Sequence, residues 1–151
     1  MTTFVLTVIG GVLIFAVGQI LLKSVIEPAQ ELKKSLGTVS STLLFHQAHL
    51  TNAAFNKEIA LEIQSNSAEI LSKSGIIIGY RFIRLIFGLP SISNIRIASR
   101  ELNGLSYGMR KESKEFENSS YYNGKKTNFA VENTKAIKKI GELLNIQTTY
   151  K

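Results

Sequence analysis

A chain of 151 residues without a single cysteine excludes disulfides, thiol nucleophiles and cysteine-based zinc sites. Its 18 Lys and Arg outnumber its 11 Asp and Glu, and a net charge of +7 favours anionic partners such as phospholipid headgroups or nucleic acid. The length suits one compact body beside a membrane segment and is too short for a large enzyme.

From Met1 to Leu22 no side chain is charged, and only Thr2, Thr3, Thr7 and Gln19 are polar. A helix of this length measures roughly 33 Å at 1.5 Å per residue, against a hydrocarbon core of about 30 Å. The stretch lacks the basic leader and small-residue cleavage site of a signal peptide, so it is expected to remain as a transmembrane helix over residues 1–24. Lys23, Lys33 and Lys34 follow the span and no Lys or Arg precedes it. The positive-inside rule therefore puts the N-terminus outside and the body, residues 25–151, in the cytoplasm. Thr3, Thr7, Gly11 and Gly18 form a stripe of small residues that would let spans pack closely.

A longer pattern crosses the membrane boundary. Gly11, Phe15, Gly18, Leu22, Val25, Ala29, Leu32, Leu36, Val39, Leu43, His46 and Leu50 alternate at intervals of four and three. A seven-residue repeat of this kind marks a buried helical seam. It predicts a stalk helix over about 28–50, which Pro28 either kinks or restarts as a first-turn residue. Two occupants of the seam are open: the chain's own later helices, or further copies bundled in parallel around an axis.

Residues 53–71 read as an amphipathic helix, with Ile59, Ile63, Ile70 and Leu71 apolar among charges. The stretch GIIIGYRFIRLIFGL, residues 75–89, is too short for a second span. Arg81 and Arg84 in the bilayer centre would cost about 5–7 kcal/mol, against about 3–5 kcal/mol gained from the Ile, Leu and Phe residues. A buried core helix is expected there, with a helix lying on the membrane surface as the second reading. The helices of about 53–88 thus lead to Pro90, after which Ile95, Ala98, Leu102, Leu105 and Met109 define a helix over about 93–110. A polar stretch follows, with a turn at Asn123-Gly124, and a last helix over about 129–145 carries Ala130, Asn133, Ile137, Ile140 and Leu144 on one face. The fold class expected is all-α: a transmembrane helix continuing into a cytoplasmic helical bundle, in a symmetric homo-oligomer.

Catalytic signals are absent. His46 and His49 stand three apart, but no carboxylate lies between Glu31 and Glu58 to complete a metal site, so no metal or cofactor is expected. There is no phosphate-binding glycine loop and no Ser-His-Asp ordering, and an enzyme is not expected. Binding is a better prospect. Arg81, Arg84, Arg96, Arg100, Arg110 and Lys111 face only Glu101 over residues 81–111, and guanidinium groups suit phosphate oxygens of a lipid or an oligonucleotide.

The segments GGVLIFAVGQILLKSVIEPAQELKKSLG, NIRIASRELNGLSYGM and NTKAIKKIGELLNI resemble a family of small single-span bacterial membrane proteins encoded in phage-defence operons, similar to the Hailong-type channel effector. The resemblance implies an oligomeric inner-membrane pore of abortive-infection defence, held shut by a single-stranded DNA oligomer, with a nucleotidyltransferase as partner. The pore-forming accessory protein of type VI-B CRISPR systems is a poorer comparison, because every arginine here follows both histidines and its Arg-His motif cannot occur. The alternative function is a membrane-anchored adaptor or scaffold for a protein, a nucleic acid or anionic lipid.

Overall fold

The computed structural model describes residues 2–52, 54, 56–110 and 120–150. Among the described residues every regular element is helical. Helix α1, Thr2–Leu21, passes through a π-helical turn, Leu22–Ile26, into α2, Glu27–Phe45. The short α3, Gln47–Thr51, turns the chain into α4, Lys57–Ile76. Helix α5, Tyr80–Phe87, links α4 to α6, Ile92–Arg110, and α7, Ser120–Leu144, completes the fold.

Pro28 dictates the π turn. It has no N–H to offer the carbonyl one turn back, and its ring crowds that carbonyl. Widening the preceding turn, with Glu27 N–H bonded to the Leu22 carbonyl, relieves the crowding without breaking the rod. The extra residue rotates α2 about the rod axis by roughly one residue's turn, about 100°.

The body is an antiparallel four-helix bundle in which α4 packs on α2 and α6, and α7 on α6, α3 and α2. Register is fixed by side chains reaching across helices. Thr42 bonds Glu62 and Asn66, and Ser35 bonds Glu69 and Lys73 at 2.8 and 3.0 Å, so α4 climbs back along α2 toward α1. Helix α6 then descends, with Ser106 donating to the Ala60 carbonyl, and α7 ascends, with Lys139 on Glu101 at 2.6 Å and Asn94 on the Leu143 carbonyl. Asn56 caps α4 by accepting from the Glu58 and Ile59 amides, and Asn145, in the left-handed region at φ 54°, ends α7. The tail folds back over Gly141, Thr148 donating to the Ile137 carbonyl.

The core consists of Ala29, Leu32, Leu36, Val39 and Leu43 from α2 against Ile59, Ile63 and Ile70, Ile95, Leu102 and Leu105, and Ile137, Ile140 and Leu144. Among the described residues no buried side-chain polar atom lacks a partner. Helix α1 stands outside this body. It is uncovered along its length, and it is the one described helix long and apolar enough to cross a membrane.

Two sequence expectations are corrected. Residues 75–89 do not form a buried core helix: α4 runs on to Ile76, the chain breaks at residues 77–79, and Phe82, Leu85 and Ile86 of α5 are 72–76% exposed. Nine apolar residues exceed what one short helix can turn inward, so half of them face out. The Asn123-Gly124 turn is also absent, since α7 begins at Ser120 and runs through it. A glycine inside a helix costs only about 1 kcal/mol relative to alanine, which a helix of this length accommodates.

Candidate functional site

The structure divides the predicted seam. Leu32, Leu36, Val39 and Leu43 are 0–5% exposed inside the chain's own bundle and offer nothing to a second copy. Gly11, Phe15 and Gly18 are exposed on α1, and in the π turn Leu22 is exposed and Val25 half-buried. Because that turn also rotates the rod, the small-residue stripe of α1 and the core stripe of α2 lie on different sides of it.

The predicted arginine cluster is likewise separated. Arg81 and Arg84 lie on α5 and Arg96 near the start of α6, at the end of the bundle nearest α1, whereas Arg100 lies at the middle of α6. Arg110 lies at the other end, about 21 Å from Arg96 along the helix axis, and bonds the Gln64 side chain. Lys111 falls outside the described residues. Three guanidinium groups therefore share the end nearest α1, Arg100 stands at mid-height and Arg110 at the far end.

That end is built by convergence. The start of α2, the end of α4, all of α5, the start of α6 and the end of α7 meet there. Helix α5 is fastened across it by an inner face of Tyr80, Ile83 and Phe87 packed on the core. Gly79 at φ 69° and Gly88 at φ 65° bracket the helix in the left-handed region, where other residues are strained by about 1–2 kcal/mol. Tyr80 donates to the Pro90 carbonyl at 2.7 Å, and burial pushes its hydroxyl up to about 12, so it stays protonated at any physiological pH. Lys33 of α2 reaches the Phe87 carbonyl at 3.5 Å.

An ion-pair network that the spacing of residues did not reveal stands beside this end. Lys73 contacts Glu69 at 2.7 Å and Glu31 at 3.0 Å, with the Ser35 hydroxyl between the helices. Glu69 and Lys73 were legible as an i,i+4 pair, but Glu31 and Ser35 enter only through the fold. The Lys73 ammonium and the Ser35 hydroxyl hold the Glu69 carboxyl below its ordinary value, while Glu69 and then Glu31 raise Lys73. A lowered carboxylate contributes stability above its unfolded value of 4.5 and loses it as pH falls through the folded value. The raised lysine contributes below 10.5 and loses it as pH rises through its folded value. Glu69→Gln is therefore expected to lower the neutral-pH plateau of an unfolding-midpoint-against-pH curve for the full chain slightly, because both partners are solvent-accessible, and to flatten the acid limb by the same amount, the two curves converging at low pH. An acid limb identical to wild type would rule out this role.

At the opposite end His46 lies 3.2 Å from Glu62, and these two, with His49, Glu58 and Phe45, line a shallow cavity. Among the described residues no group of three or more His, Asp or Glu is arranged to hold a metal ion. A second open groove, between α6 and α7, is lined by charges of both signs, including Glu101, Glu132, Lys135 and Lys139. Comparison with protein-family models, curated proteins and solved structures finds no match to this chain.

Proposed function

We propose that the chain is a single-pass protein of the bacterial inner membrane, N-terminus outside and bundle in the cytoplasm, that associates with copies of itself through α1 to form an ion-conducting effector of antiphage defence. In this reading the bundle is the regulatory part. The observation that carries it is the unbroken rod from Thr3 to Phe45, in which the apolar helix and the first helix of the bundle are one object. A tether needs no such stiffness, whereas a regulator must move the span it controls. One helix cannot enclose a pore, so copies are required, and Gly10, Gly11 and Gly18 have open space over their backbone for close helix approach.

Arg81, Arg84, Arg96 and Arg100 support an anionic regulator, because guanidinium forks match phosphate oxygens and a symmetric assembly would repeat them around its axis. The resemblance to Hailong-type channels makes a single-stranded DNA oligomer, produced by a nucleotidyltransferase partner, the polyanion to try first. No catalytic step is assigned to the chain itself.

A membrane-anchored adaptor or scaffold is the second reading, favoured by one observation: the stalk residues Leu32 to Leu43 are covered by the chain's own helices, leaving α1 alone for self-association. Replacing residues 1–22 with an unrelated span of equal length separates the two. The pore reading expects ion flux in proteoliposomes and toxicity on expression to disappear, along with a loss of both in Gly11→Leu and Gly18→Leu. Retention of activity after the exchange, or a monomer by native mass spectrometry in gentle detergent, would overturn it in favour of the adaptor.

A further inference from the structure

Helix α5 has two apolar faces and a basic flank. Tyr80, Ile83 and Phe87 pack inward on the bundle. Phe82, Leu85 and Ile86, spaced three and one apart, form an outward face at 74%, 72% and 76% exposure, and Ile78, one turn earlier, extends it at 67%. Arg81 and Arg84 stand between the two faces. A monomeric soluble body seldom leaves so compact an apolar ridge in water.

The register of the bundle says where that ridge sits. Ser35 bonds Glu69 and Lys73, and Glu31 bonds Lys73, so continuing the antiparallel pairing brings Ile76, the last residue of α4, opposite residues 28–32 of α2. Ile26 is the last apolar residue of the rod before Glu27, the first acid. Residues 28–32 lie about 6–12 Å beyond residue 24, the end of the expected span, at 1.5 Å per residue. The headgroup layer of a bilayer is about 5–7 Å deep on each side. The other end of α5 is tied to the same part of α2, with Lys33 donating to the Phe87 carbonyl.

We infer that α5 is an interfacial helix, seated in the anionic headgroup layer beside the point where its own chain leaves the bilayer, with Phe82, Leu85 and Ile86 in the acyl boundary and Arg81 and Arg84 on lipid phosphates. The inference rests on α1 being a membrane span. Two observations converge on a lipid surface as the occupant. The ridge lies at the end of the bundle where the uncovered α1 leaves it, and its flank carries positive charge of the kind that seats amphipathic helices on anionic leaflets. The consequence is a bundle held against the membrane at two points, by the rod and by α5, which fixes its tilt.

The chain contains no tryptophan, so a single introduced Trp is an unambiguous probe. Full-length Phe82→Trp, Ile14→Trp in α1 and Phe45→Trp at the far end of α2 would be reconstituted in phosphatidylglycerol-containing vesicles with lipids brominated either near the headgroup or near the bilayer centre. The expected result is a blue-shifted Phe82→Trp emission lost mainly to the shallow quencher, an Ile14→Trp emission lost mainly to the deep one, and no loss for Phe45→Trp. Adding Arg81→Gln and Arg84→Gln to Phe82→Trp should weaken quenching on anionic vesicles. An unquenched, water-exposed Phe82→Trp beside a quenched Ile14→Trp overturns the interfacial helix while leaving the span intact. If neither is quenched, the span fails and the inference with it. If Phe82→Trp is shielded from acrylamide yet untouched by either bromolipid, a second copy of the chain covers the ridge, and the inference is again overturned.

Discussion

Insertion of a short Gly-Ser segment between Lys23 and Ser24 is expected to uncouple the proposed membrane assembly from its bundle while leaving both folded. The π turn at Leu22–Ile26 is the covalent connection between α1 and the body, and it stays helical despite Pro28. In the proposed effector that rod is the covalent path by which binding on the bundle acts on α1. Coupling between two sites is typically 1–3 kcal/mol, so the ligand dependence of ion flux should fall by about 5–150-fold. Inserting about seven alanines, two helical turns, keeps the rod stiff and its azimuth nearly unchanged, and should restore most of the dependence. The measurement is flux from dye-loaded proteoliposomes with and without a single-stranded DNA oligomer. Equal ligand dependence in the flexible and helical insertions would mean that the span is a passive tether.

The rod also separates the legible from the concealed. The three-four spacing of Ala29, Leu32, Leu36, Val39 and Leu43 is a sound signal of a buried stripe, and each of these residues is buried. Spacing reports that a stripe is covered, not by which chain, and here the cover comes from α4, α5 and α7. Residues 75–89 misled for a related reason. Their total hydrophobicity suggests a core helix, but their phase separates 80, 83 and 87 from 78, 82, 85 and 86, and only the phase distinguishes two apolar faces from one. The six basic residues of 81–111 are close in sequence because two of them precede a helix that then carries Arg110 the length of the bundle. Proximity along a helix of 19 residues is not proximity in space. The Glu31, Ser35 and Lys73 network was invisible because each of its members reads as ordinary helix-surface polarity until α2 and α4 are brought together.

The best hidden feature is the α4–α6 contact, and it yields the largest expected change in stability. Ala60, Ser67, Ala98, Ser99 and Ser106 are 0–3% exposed there, all small, and three of them reach the opposing backbone. Ser67 donates to the Ser99 carbonyl at 2.9 Å, Ser99 to the Ser67 carbonyl at 3.3 Å, and Ser106 to the Ala60 carbonyl at 2.8 Å. Serine hydroxyls are short, so these bonds require the helices to approach closely, and the approach is what buries Ile63 and Leu102 beside them. Ser99→Ala removes one long hydrogen bond from a carbonyl of a continuous helix, and should cost about 0.5–1.5 kcal/mol at most. Ser99→Leu must instead push the helices apart, a strain of about 1–3 kcal/mol or more in a well-packed core. Against a domain stability of about 5–15 kcal/mol, the leucine variant gives up a substantial share. Urea unfolding of the full chain in detergent, followed by circular dichroism, separates the two variants. A leucine variant with the midpoint of the alanine variant would mean that the α4–α6 approach is not a tight contact, and that its hydroxyls rather than its spacing hold the bundle together.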